Sequence, residues 1–215
     1  MILFDVVNST VNEEARMNRI AGVVIGVVTN NQDPDGMGRV KVKFPWLSDV
    51  DESYWARIAS PMAGKKRGVY FLPEVEDEVL VAFEHGDVRF PYLLGALWNG
   101  QDAPPVTNDD GKNNVRIIQS RSGHVVKLND EDGKETIEII DKSQKNSIVI
   151  DTSKNTVTIT SDQDITLSAS KGTIKLDAKN VEIKSSAATK LEAGSTVDVK
   201  ASGTMTLKGA TVNIN

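Results

Sequence analysis

Residues 155–215 read NTVTITSD QDITLSAS KGTIKLDA KNVEIKSS AATKLEAG STVDVKAS GTMTLKGA TVNIN, and each block carries one apolar–polar–apolar triplet. The paired positions are Val157/Ile159, Ile165/Leu167, Ile174/Leu176, Val181/Ile183, Thr189/Leu191, Val197/Val199, Met205/Leu207 and Val212/Ile214; all are apolar but Thr189. The residue inside each pair is polar throughout: Thr158, Thr166, Lys175, Glu182, Lys190, Asp198, Thr206 and Asn213. Alternation with period two describes a strand with one dry and one wet face. Its recurrence at intervals of seven to nine residues describes a solenoid or fibre, whose repeats bury apolar surface only by stacking.

A block of this length holds one short strand and a turn. Two apolar side chains per strand do not offset the entropy of ordering the block, and a single ribbon of such strands leaves both edges unpaired. Several identical chains wound about one axis remove both difficulties, because dry faces meet centrally and strands pair between copies. The pattern therefore predicts an obligate homo-oligomer, most simply a homotrimer forming a triangular β-prism. Its core is Val157, Ile159, Ile165, Leu167, Ile174, Leu176, Val181, Ile183, Leu191, Val197, Val199, Met205, Leu207, Val212 and Ile214. At one strand spacing per block, eight blocks span about 40 Å. A short-stranded sandwich or single-chain β-helix is the plainer alternative; single-chain solenoids use longer coils or a hexapeptide rhythm.

Composition divides the 215 residues in two. All eleven aromatic residues lie at or before Trp98 and all seven prolines at or before Pro105. The stretch 99–114 (NGQDAPPVTNDDGKNN) has linker chemistry. The expected organisation is an N-terminal extension (1–18), a barrel (19–98), a linker (99–115) and a needle (116–215), with the repeat clearest in 155–215. The barrel carries five strand candidates: 22–28 (GVVIGVV), 38–44 (GRVKVKF), 54–60 (YWARIAS), 78–83 (EVLVAF) and 93–98 (LLGALW). Turn-forming residues at 30–36 and 62–67 separate them. Five short strands in such a span suit a closed OB-fold barrel. In the second, Val40, Val42 and Phe44 point one way and Arg39, Lys41 and Lys43 the other. The fold class is thus all-β, an OB barrel followed by an intertwined trimeric β-helix.

Several strings resemble the VgrG and phage baseplate assembly protein V (tail spike) family. They are Asp35-Gly36-Met37-Gly38-Arg39-Val40-Lys41-Val42-Lys43-Phe44-Pro45-Trp46, Trp55-Ala56-Arg57-Ile58-Ala59 with Ala63-Gly64, and Leu72-Pro73-Glu74-Val75-Glu76-Asp77-Glu78-Val79-Leu80-Val81-Ala82-Phe83. His85-Gly86-Asp87, Pro91, Gly95 and Asn99 follow, and Ser120-Arg121-Ser122-Gly123-His124 resembles the family's lead-in to its β-helix. The resemblance runs from about residue 19 onward. It implies an OB barrel on a trimeric needle: the central spike of a phage tail or contractile injection system, piercing the target envelope beneath the tail tube. The short segment before the barrel resembles stand-alone spikes whose hub or tail-tube protein is a separate partner. The space between barrel and needle is too small for the muramidase some phage spikes insert there. The chain has no histidine after His124, so it departs from needles ending in an iron-binding His-x-His pair. The resemblance then implies a PAAR-type tip protein bound at Thr211, Val212, Asn213, Ile214 and Asn215, with effector cargo as a further possible passenger.

The remaining chemistry is sparse. A net charge of −5 argues against a nucleic-acid partner. No apolar run is long enough for a membrane span; the resemblance implies that a target membrane is met only on puncture. No secretory signal pattern is present, which places assembly in the cytoplasm, and the absence of cysteine excludes disulfides. His85 and His124 read as turn histidines rather than metal ligands or catalytic bases. The acids Asp33, Asp35, Asp49, Asp51 and Glu52 read as turn residues; calcium needs six to eight oxygens in a defined loop. No catalytic residue, metal site or cofactor is expected. Thr10 and Glu13 have capping-box spacing, suggesting a short helix that packs on the barrel or contacts the hub. The alternative function is a glycan-binding OB module on a trimeric tail-fibre or adhesin stalk, with Trp46, Tyr54 and Trp55 as its aromatic platform; a cell-wall hydrolase is a third and weaker reading.

Overall fold

The computed structural model describes residues 19–47 and 50–213. The capping-box pair Thr10 and Glu13, the loop acid Asp49, and the last two residues of the needle, Ile214 and Asn215, lie outside the described residues. The chain divides into two units, Met1–Asp162 and Gln163–Asn215.

The first unit opens with a five-stranded sheet in the order β2-β1-β6-β7-β3. Its strands are β1 (Val23–Asn30), β2 (Lys41–Lys43), β3 (Arg57–Ile58), β6 (Glu78–Phe83) and β7 (Pro91–Ala96). All pairings are antiparallel except β3 with β7, which is parallel. Beyond the sheet ends, Val40 and Ala56 exchange both backbone hydrogen bonds, at 3.1 and 2.7 Å. That bridge brings the β2 edge to the β3 edge and curls the sheet into a barrel, removing free edges.

Alternation dictates what fills it. Val40, Val42 and Phe44 are buried, and so are Val79, Val81 and Phe83 on β6 and Leu93 on β7. Lys41 and Lys43 on β2 stay part-exposed, as the period-two reading requires. Phe44 and Phe83 meet with ring centroids 5.5 Å apart. Gly26 is one place where the lack of a side chain is structural. A Cβ there would lie 3.2 Å from both the Lys43 carbonyl and the Phe44 ring.

The five predicted barrel strands are all present; the fourth, Glu78–Phe83, keeps its bounds and the other four have shifted ends. The second and third are shorter than expected, because Val40 and Ala56 contribute isolated bridges rather than strand. The segment read as a turn at 62–67 folds into a small hairpin of β4 (Ala63–Gly64) and β5 (Arg67–Gly68). His85 sits in a short 3-10 turn, Glu84–Gly86, with φ 51°.

The segment 97–114 carries no strand. A second five-stranded sheet follows, an antiparallel meander in the order β12-β11-β10-β9-β8. Its strands are β8 (Val115–Gln119), β9 (Val125–Asn129), β10 (Thr136–Ile140), β11 (Ser147–Asp151) and β12 (Thr156–Thr160). The first block of the repeat is therefore β12, paired within the chain to β11, with Val157 opposite Ile150 and Ile159 opposite Ile148.

In the second unit no strand pairing is formed among the described residues. The chain bends or turns at 162–163, 170–172, 179, 186–187, 194–195, 202–203 and 210. These are the boundaries between blocks, so the seven-to-nine-residue rhythm is also the rhythm of the backbone.

Candidate assembly surface

Repeated blocks set the character of the second unit. Each described member of the apolar stripe is exposed, from 48% at Val197 to 77% at Ile183. Val157 and Ile159 lie on β12 of the first unit and are exposed as well. Among the described residues 164–213, a bond from the Gly172 N–H to the Ala169 carbonyl at 3.2 Å is the sole backbone–backbone hydrogen bond. Backbone amides and carbonyls are obligatory hydrogen-bonding groups; besides this bond, the Ser185 hydroxyl donates to the Ala188 carbonyl at 2.9 Å and accepts the Ala187 N–H at 3.3 Å. Of the tip residues, Thr211, Val212 and Asn213 are exposed.

The meander sheet adds a surface that the sequence reading did not single out. Directly opposed residues share a face, and the registers place Ile118, Val126, Ile139, Ile148 and Ile159 in one row across five strands. Arg116, Leu128, Ile137, Ile150 and Val157 form the second row. Nine of these ten side chains are aliphatic, and all nine are exposed. The other face is mixed. Lys127 meets Glu138 at 3.4 Å, and the Thr136 hydroxyl donates to Glu138 at 2.6 Å. The signal was available in Ile137/Ile139 and Ile148/Ile150, the same apolar–polar–apolar triplet at wider spacing.

The acidic loop of the barrel is a closed turn. The Asp33 carboxylate accepts N–H bonds from Asp35 at 3.1 Å, Met37 at 3.0 Å and Arg39 at 3.2 Å. The Arg39 guanidinium adds contacts at 2.9 and 2.6 Å. The guanidinium, with these backbone donors, holds the Asp33 carboxyl far below the usual carboxylate range. Its oxygens are occupied, which suits a turn and not a calcium ligand. Glu52 pairs with Lys41 at 3.0 Å. Among the described residues no cluster of three or more His, Asp or Glu side chains could hold a metal.

The histidines are placed as turn residues. His124 Nδ1 accepts the Lys142 N–H at 3.2 Å, bracing the β8–β9 turn against the β10–β11 turn. Near His85, the Arg89 guanidinium brings the Asp87 carboxyl down to about 2. His85, Trp46, Leu47, Val88 and Phe90 line an open groove of about 880 Å³. A second groove, of about 830 Å³, is lined by Met37, Met62, Tyr70 and Phe71 beside Lys66 and Arg67. Both grooves are open and mix apolar with polar and charged side chains. Of the aromatic residues considered for a glycan platform, Trp46 and Tyr54 are exposed. Trp55 is covered by Arg39 and Lys41, 5.8 and 5.6 Å from its ring centre.

Comparison with known proteins gives this architecture a context. A family model described as the type VI secretion system/phage-baseplate injector OB domain matches residues 24–98. Type VI secretion system spike protein VgrG3 of Vibrio cholerae is 33% identical over 102 residues, covering 44% of this chain and 10% of that protein. Spike protein VgrG1a of Pseudomonas aeruginosa is 28% identical over 143 residues, covering 61% of this chain and 22% of its own length. The actin cross-linking toxin VgrG1 of Vibrio cholerae is 32% identical over 111 residues, covering 48% of this chain and 10% of the toxin. The chain thus spans between about a tenth and a fifth of the length of these relatives.

Proposed function

The chain belongs, through residues 24–98, to the VgrG and phage-baseplate spike family, and from that membership we propose that it is the structural central spike of a contractile tail or contractile injection system. Three copies form a narrow needle with the aliphatic stripe from Val157 onward at its centre, intertwining where the described chain forms no strand pairing of its own, after Asp162. Lys175, Glu182, Lys190 and Asp198 coat the outside. The barrels dock beneath the tail tube and its hub protein, for which the two open grooves of the barrel offer surface. The far end, at 211–215, carries a PAAR-type tip, with effector cargo as an optional passenger. Contraction drives the assembly through the target envelope. The chain acts mechanically and is not an enzyme.

The observation that carries this reading is the coincidence of two patterns. An apolar pair recurs in seven of the eight blocks, with Thr189 interrupting the fifth, and the backbone bends between blocks while every described stripe residue stays exposed. An aliphatic stripe open along some fifty residues is an unfinished core. Interchain strand pairing supplies both its cover and the partners of its backbone groups.

Light scattering in native buffer tests it. A species of three times 23.3 kDa is expected; a monomer ends the reading. Negative-stain images are expected to show a knob on a thin rod. Elemental analysis is expected to find no stoichiometric iron.

A further inference from the structure

The chain enters the barrel on the wall of one of its two grooves. Arg19 and Ile20 line the same groove as Trp46, Leu47, Val88 and Phe90. The Ile20 N–H donates to the Gly86 carbonyl at 3.0 Å, and the Ile20 side chain packs against the barrel core. Gly86 makes that approach possible. A Cβ there would lie 3.0 Å from both the Arg19 Cβ and the Ile20 carbonyl oxygen. The root of the N-terminal segment is therefore fixed where the groove opens.

Two apolar surfaces then lie within reach of each other. Trp46, Leu47, Val88 and Phe90 are all exposed, from 40% at Val88 to 61% at Leu47. Single exposed apolar residues are ordinary; four around one groove form a patch that marks a contact. Residues 1–7 read MILFDVV, apolar at every position but Asp5. Eleven residues, 8–18, separate that run from Arg19. At up to about 3.3–3.6 Å per residue they reach every part of a groove of about 880 Å³. A short tether holds its segment at roughly millimolar effective concentration, which favours the chain's own run over a free protein. The other groove, lined by residues between Asn31 and Leu72, has no such entry point on its wall.

We propose that residues 1–7 lie as an apolar strap in the groove of their own barrel, covering Trp46, Leu47, Val88 and Phe90. A partner protein that uses this groove displaces the strap first, so the bare apolar surface is presented only on assembly. The proposal concerns the barrel alone and does not depend on the trimeric reading above.

The cysteine-free chain permits a direct test on the full-length protein. Val88→Cys is reacted with a monofunctional maleimide, with the N-terminal run intact and with residues 2–7 deleted, a change that leaves the buried core of the barrel in place. Labelling is expected to quicken about tenfold on deletion. Equal rates overturn the proposal: equally fast, the groove is open; equally slow, something else covers it. The run is then located with a short bis-maleimide in two double variants, Asp5→Cys/Val88→Cys and Asp5→Cys/Tyr70→Cys, the second reporting on the other groove. A link in the first that runs at monomer size under denaturing conditions, with the second at the level of random collision, bears the proposal out. Covalent dimers and trimers from the first overturn it, because the strap then belongs to a second copy. Equal linking in both, or none in the first, also overturns it. Loss of the trimer alters none of these readings, so failure of the spike assignment and failure of the strap are told apart.

Discussion

Asp33 shows how one carboxylate can hold a long loop. Three backbone N–H groups and the Arg39 guanidinium converge on it, so the turn from β1 toward β2 is built around a charge. Because its pKa is depressed in the fold, the stabilisation is present above the unfolded carboxylate range near 4 and is lost as pH falls below it. The barrel is expected to melt at a constant temperature from neutrality to about pH 4 and progressively lower beneath that. Asp33→Asn is expected to lower the melting temperature at pH 7 and to flatten that acid-side decline, both read by calorimetry. Gly26 gives a steric counterpart. Gly26→Val forces a side chain against the Phe44 ring and the Lys43 carbonyl, and a loss of about 1–3 kcal/mol is expected in urea unfolding.

At the scale of the element, a strand's two faces have separate fates, and neighbouring residues test that. Ile183 and Glu182 are adjacent, one in the apolar stripe and one between stripe positions. Ile183→Asp is expected to block assembly, because a carboxylate in an aliphatic interior has no partner. Glu182→Lys is expected to leave the oligomer intact. Size-exclusion chromatography with light scattering reads both, and equal damage from the two changes overturns the assigned facing. In the barrel the same alternation is already visible as burial. Leu93 is 2% exposed, and Leu93→Ala is expected to cost about 2–5 kcal/mol.

At the scale of the whole molecule, the two units place their stability in different contacts. The barrel has its own buried core and closes its own edges. Among the described residues after Asp162 the repeat forms neither within one chain; in the proposed trimer its order depends on copies meeting, through contacts that are intermolecular and far apart in sequence. Such an assembly is expected to unfold slowly. Dissociation followed by dilution-jump light scattering is expected to give a trimer lifetime far longer than the unfolding time of the barrel. A trimer that falls apart within the dead time of mixing contradicts the shaft.

Much of this was open to reading in the residues alone, because the period of an apolar pattern is a local property. Val40, Val42 and Phe44 announced the buried side of a wall, and the blocks after Asn155 announced where the backbone bends. What needed tertiary structure was register and closure. Only pairing across the chain brings Val40 to Ala56 and closes the barrel. Pairing also assigns the first block to a hairpin meander as β12, and aligns Ile118, Val126, Ile139 and Ile148 into a row that spacing did not reveal. A local pattern decides which way a side chain points; which strand lies beside it is a long-range choice made by packing and hydrogen bonding together.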